Sequence, residues 1–145
     1  EDNLNDLVKS LLNLEHDAME AYEEVVERLE NQDFADKVES FRQDHQRHIE
    51  ALTQVASGAG EDKPDGSMKS ILTAGKIVLA DMMGDEAILK AMKTNEDDTV
   101  TAYERAVKNE CCTPALQEIC EKALQDERTH RDWMRDTAGR LDRAA

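Results

Sequence analysis

An internal repeat with an offset of about 81 residues constrains this chain more than any other feature. Glu15, Tyr22, His45 and His48 in the first half correspond to Glu96, Tyr103, Glu127 and His130 in the second, at offsets of 81, 81, 82 and 82. Neighbouring residues repeat with them: Ala21-Tyr22-Glu23 against Ala102-Tyr103-Glu104, and Gln43-Asp44 against Gln125-Asp126. A repeat of this kind implies two helix pairs related by an approximate two-fold. Six of the repeated residues are metal-ligand types, which makes an otherwise plain helical sequence a candidate metal binder.

Hydrophobic periodicity places the repeat on helices. The first helix is predicted over about 3–31, with an apolar stripe of Leu4, Val8, Leu11, Ala18, Tyr22, Val25 and Leu29 and Glu15 filling its one gap. After the turn Asn31-Gln32-Asp33, with Asp33 as N-cap, the second runs over about 33–57 with Val38, Phe41, His45, His48, Leu52 and Val55 on one face. A loop from Gly58 to Ser67 carries the turn signal Lys63-Pro64-Asp65-Gly66, and a short helix is expected over about 68–82. With Asp85 as cap, the third helix spans about 85–109 and aligns Leu89, Met92, Glu96, Thr99, Tyr103 and Ala106. Thr113-Pro114 opens the fourth, over about 113–141, with Leu116, Cys120, Ala123, Glu127, His130, Met134 and Leu141. Trp133 is expected to anchor this helix against the short extra one.

Short turns join helices 1–2 and 3–4, so each pair is an antiparallel hairpin. The connection from helix 2 to helix 3 is long enough to cross the bundle end to end. The expectation is therefore a single all-α domain over 1–145, a ferritin-like four-helix bundle with one long crossover carrying an extra short helix.

All six ionisable repeat residues fall on the apolar stripe, a costly position unless something pairs their charge. Glu127 and His130, and likewise His45 and His48, are three residues apart and share a helix face. Counted from the first turn near Gln32, Glu15 lies 17 residues before and His48 lies 16 after. Counted from the second turn near Cys111, Glu96 lies 15 before and Glu127 lies 16 after. At ~1.5 Å per residue, both hairpins bring their ionisable groups to a common level near mid-bundle. Three carboxylates and three imidazoles converging there suit iron, manganese or zinc. Asp44 and Asp126, next to the predicted ligands, are candidates to support them. His16 lies off the stripe, and Asp17 and Asp98, about 200° around the helix from the ligands, are expected at the surface.

This pattern resembles the ferritin-like di-iron carboxylate superfamily, closest in style to rubrerythrin-type four-helix domains. In that family one Glu comes from each of two helices and a Glu-x-x-His from each of the other two. Glu15 and Glu96 match the single glutamates, each followed seven residues later by a tyrosine, and Glu127 with His130 matches one Glu-x-x-His. Helix 2 departs from the pattern, since His45 stands where a bridging Glu is expected. Three carboxylates against two divalent ions leave a charge of +1. The resemblance implies metal ligands Glu15, His45, His48, Glu96, Glu127 and His130, with Glu127 as the only bridging carboxylate. Tyr22 and Tyr103 read either as simple core aromatics or as hydrogen-bond donors to a ligand carboxylate. Dinuclear iron is the implied cofactor, with manganese or zinc as alternatives. Oxidation of Fe(II) with O2 or peroxide, in stress protection or iron handling, is the implied activity. No rubredoxin-like Cys-x-x-Cys pair occurs. The alternatives are a metal-binding protein without turnover, and a helical interaction module whose acidic surface docks a basic partner.

The formal net charge of −15 argues against nucleic acid or an anionic membrane as partner. No apolar run is long enough to cross a bilayer. Three clustered cysteines, Cys111, Cys112 and Cys120, make no disulfide framework and read as free thiols of a cytoplasmic protein. The first residue is not methionine, which leaves a trimmed start or removed leader open. A homodimer through helix faces is the expected assembly.

Overall fold

The computed structural model describes residues 2–58 and 84–144. It contains four helices, α1 (Asp2–Arg28), α2 (Gln32–Gly58), α3 (Asp85–Lys108) and α4 (Pro114–Ala144), and no strand among the described residues. The all-α four-helix bundle is thus as expected from the periodicity. The predicted loop after Gly58 and the short helix over 68–82 lie outside the described residues.

Helix ends differ from expectation by a few residues, and side-chain partners account for those at the α1–α2 turn. α1 ends at Arg28 rather than near Asn31 because the N–H groups of Glu30 and Asn31 donate to the Asp85 carboxylate, at 2.8 and 3.0 Å, and leave the helical ladder. Asp85 is therefore a clamp between the α1–α2 turn and the start of α3. Gly84 holds the N-cap position of α3, with φ 85° and no capping side chain. That positive φ favours glycine. The N-cap of α2 is Asn31, whose side-chain oxygen accepts from Phe34 N–H at 3.1 Å, and Asp33 sits in the first turn, where its charge suits the helix dipole. Thr113 caps α4 as expected, its Oγ1 accepting from Leu116 N–H at 3.3 Å.

α1 packs on α2 and α3 on α4, and the two hairpins meet through α1–α3 and α2–α4. Tyr22 of α1 reaches Glu96 of α3, whereas Tyr103 of α3 reaches Glu15 of α1. Each tyrosine follows its own glutamate by two turns, so the swap requires α1 and α3 to run antiparallel. Asp85 beside Asn31 agrees, placing the start of α3 at the end of α1. Consequently α2 ends at the opposite end of the bundle from the start of α3, which is the arrangement that a long crossover connects.

The interior divides into two apolar cores. One gathers Val8, Leu11, Leu12, Leu52, Val100, Tyr103, Leu116 and Cys120 among others. The second gathers Tyr22, Val25, Val38, Phe41, Leu89, Met92 and Met134 among others. Glu15, His45, Glu96, Glu127 and His130 are 0% exposed yet belong to neither core, and form a polar layer that the two tyrosines bound from opposite sides. Trp133 packs edge-on against Phe34 and Phe41 of α2, at ring separations of 5.9 and 5.6 Å.

Candidate metal centre

Each helix delivers its part of the polar layer through its own periodicity. α1 presents Glu15 and α3 presents Glu96, both in the apolar stripe and without exposure. α2 presents His45 and His48, and α4 presents Glu127 and His130, one turn apart on the buried face of each helix. All six side chains selected from the repeat are brought together. They form two groups of potential metal-binding atoms, Glu15, His45, His48 and Glu127 on one side and His45, Glu96, Glu127 and His130 on the other. Within each group the donor atoms lie within 4.8 Å of one another, and the groups share His45 and Glu127.

Glu127 spans the two halves. Its Oε1 lies 3.2 Å from His130 Nδ1 and its Oε2 lies 3.4 Å from His48 Nδ1. In the first half, Glu15 meets His45 Nδ1 at 2.6 Å and His48 Nδ1 at 3.0 Å. In the second half, Glu96 lies 3.4 Å from His130 Nδ1 and 3.6 Å from His45 Nε2.

A supporting ring of hydrogen bonds crosses between the hairpins. Tyr103 donates its hydroxyl to Glu15, and Tyr22 donates to Glu96. His48 Nε2–H donates to Asp126 at 2.9 Å, and His130 Nε2–H donates to Asp44 at 2.8 Å. An Nε2–H committed to a carboxylate leaves Nδ1 facing the centre as the nitrogen that gives up its proton to a metal, which fixes the tautomer that a metal requires. Phe41 stacks on the His130 ring at 4.2 Å and restrains its plane. Asp44 and Asp126 repeat at the same offset of 82 as the residues they flank, which is the signal that marks them in the sequence. His16 is exposed as expected, whereas Asp17 and Asp98 are half-buried rather than at the surface.

The electrostatics are those of compensated charge. Burial alone would raise Glu15, but His45 and His48 hold it down at about 2. Burial would likewise raise Glu96, and His130 and His45 hold it below the usual carboxylate range. The histidines shift in the opposite sense. Burial opposes their protonation, yet Glu127 and Glu15 push His45 to about 10. Asp126, Glu127 and Glu15 push His48 to about 12, and Glu127 and Glu96 push His130 to about 9. Glu127 is the exception, raised by burial and by the neighbouring Glu96 charge, which outweigh His45. Burial and the adjacent carboxylates raise both tyrosines well above 10, so their hydroxyls stay protonated donors.

The donor set fits a metal. Among the described residues, the buried side-chain polar atoms with no hydrogen-bond partner are His45 Nε2, Glu96 Oε1, Glu127 Oε2 and Asp17 Oδ2. Three of these four lie in this one cluster. Buried polar atoms are rarely left unpaired in native proteins, and converging lone pairs of this kind are what a cation satisfies. The cysteines take no part. Cys111 and Cys112 are half-buried, and Cys120 is buried in an apolar core, where burial and Cys112 raise its thiol to about 12.

No described helix is long and apolar enough to cross a membrane. The model of a family described as a domain of unknown function, DUF2383, matches residues 2–109. The match takes in α1, α2 and α3 with Glu15, His45, His48 and Glu96, and stops before α4. No curated protein and no solved structure matches the chain.

Proposed function

The chain belongs to the DUF2383 family, and we propose that it is a ferritin-like metal-binding protein with a dinuclear, iron-type centre inside the bundle. The observation that carries this reading is the pair of buried four-residue groups sharing His45 and Glu127. Glu15 and His48 would hold one ion and Glu96 and His130 the other, with Glu127 reaching both. Tyr103 and Tyr22 orient the two single glutamates, and Asp126 and Asp44 orient the two outer imidazoles. The apolar cores above and below exclude bulk water, which strengthens each of these electrostatic contacts. Bound there, two iron ions would supply redox chemistry toward O2 or peroxide, a ferroxidase or peroxidase activity in oxidative stress or iron handling.

The test is an anaerobic Fe(II) titration of metal-free protein, followed by air and an ultraviolet–visible spectrum. Two irons per chain, with oxidant consumed and a ferric charge-transfer band appearing, are expected. One iron or none, with an unchanged spectrum, overturns the two-ion reading. A second reading, metal binding without turnover, is favoured by His45, because an imidazole replaces one carboxylate of the four-carboxylate pattern that the chain resembles. It predicts one or two tightly bound ions and no oxidant consumption on adding Fe(II).

A further inference from the structure

His45 stands where its repeat partner is the glutamate Glu127, and its ring lies between the two groups rather than within one. Its Nδ1 is 2.6 Å from Glu15 Oε1. Its Nε2, on the other edge of the ring, is 3.4 Å from Glu127 Oε1 and 3.6 Å from Glu96 Oε2, and has no hydrogen-bond partner. His48 and His130 are oriented differently, each with Nδ1 inward and Nε2 tied outward to an aspartate. Of the three rings, His45 alone turns both nitrogens toward carboxylates of the centre. Its ring is held in that attitude by Tyr22, whose ring centroid lies 4.7 Å away.

We propose that His45 is the second bridge of the centre, an imidazolate whose Nδ1 binds the ion held by Glu15 and His48 and whose Nε2 binds the ion held by Glu96 and His130. The inference rests on the two-ion reading above. Charge supports it as strongly as geometry. Two divalent ions carry +4 and the three carboxylates carry −3, which leaves +1 in a core where net charge is expensive. A neutral imidazole does not change that sum. When the second ion binds, the last N–H bond of the ring breaks, its proton leaves to solvent, and a nitrogen–metal bond takes its place. The ring then carries −1 and the centre is neutral without an outside anion. His45 thus supplies what a bridging glutamate supplies, one negative charge and two donor atoms, and biases the site toward ions that favour imidazole nitrogen, such as zinc or cobalt, over manganese.

The experiment uses the full chain loaded with a spin-active cadmium isotope after labelling its histidines with a spin-active nitrogen isotope. The bridge predicts one imidazole with metal coupling on both ring nitrogens and no N–H signal, and two with coupling on Nδ1 alone. His45→Ala assigns the doubly coupled ring. Co(II) titration of the same variant is expected to show the second ion weakened by more than about 10-fold. Magnetic coupling between the two Co(II) ions, present in the parent chain, is expected to weaken in the variant to what Glu127 alone transmits. His45→Glu, which restores a two-donor anion, is expected to recover two-ion binding. Two bound ions with His45 coupled through one nitrogen only, or with coupling unchanged in His45→Ala, overturn the bridge and leave the dinuclear reading standing. Fewer than two ions in the parent chain overturn both.

Discussion

Glu15 and Glu127 are both 0% exposed and both face histidines, yet removing their charges should have unequal consequences in metal-free protein. A carboxyl held at about 2 instead of 4.5 contributes about 3 kcal/mol to folding at neutral pH. Glu15→Gln keeps the shape and removes that charge, leaving His45 without its closest anion and His48 with Asp126 as its nearest. At about 2–4 °C per kcal/mol for a chain near this size, the expected loss is on the order of 6–12 °C in melting temperature. Glu127 is shifted the other way, since burial and Glu96 disfavour its charged form. Glu127→Gln removes a charge that burial and Glu96 already disfavour, so metal-free stability should fall less than in Glu15→Gln. With metal the order reverses. An ion at 100 times its dissociation constant stabilises the parent chain by about 2.7 kcal/mol, and Glu127→Gln should lose most of that increment. The assay is thermal unfolding followed by circular dichroism at neutral pH, with chelator and then with Zn(II). A metal-free Glu127→Gln protein that melts as low as Glu15→Gln would refute the electrostatic assignment. An undiminished Zn(II) increment in Glu127→Gln would refute its role as a ligand.

The same charges set a pH profile for metal-free protein. The raised pKa values of His130, His45 and His48, about 9, 10 and 12, mean that folded chains retain protons which unfolded chains release above 6.5, so this stabilisation fades as pH climbs from there. Glu15 contributes fully above 4.5 and loses its contribution as pH falls toward about 2, with Glu127 offsetting part of that limb. Maximum stability between about 4.5 and 6.5 is expected in urea unfolding across pH, and a maximum above pH 9 would contradict the histidine assignments. Asp44→Asn and Asp126→Asn should each lower metal affinity by about 10–100-fold, because each replaces the carboxylate that fixes an imidazole tautomer with a weaker, uncharged acceptor. Competition titration against a chelating dye measures this, and an unchanged affinity in both variants would remove the aspartates from the site.

Most of the candidate centre was legible in the chain because helical periodicity is a local property. Glu15, His45, His48, Glu96, Glu127 and His130 interrupt apolar stripes at intervals of three and four, so each had to point inward once its helix formed. Counting from the two turns then brought them to one level. Helix ends were less legible, because competing partners decide them. Asn31 caps α2 and Asp85 draws the N–H groups of Glu30 and Asn31 out of α1, and the second of these is a contact across 54 residues or more. Asp17 and Asp98 were expected at the surface from their angle to the ligands, but burial of a helix face depends on everything packed around it, and both are half-buried.

The sequence by itself determined the four amphipathic helices, their pairing in two hairpins and the six ionisable groups in the core, since these follow from side-chain period and turn position along one chain. Tertiary structure alone decided which partner each group takes. Tyr22 serves Glu96 and Tyr103 serves Glu15, while Asp44 serves His130 and Asp126 serves His48, all across the hairpins. Those exchanges depend on the antiparallel register between α1 and α3 and between α2 and α4. The attitude of the His45 ring, with one nitrogen toward each half of the centre, depends on the same register. Register between hairpins is set by how two apolar cores interdigitate above and below the polar layer, and no periodicity within a single helix encodes it.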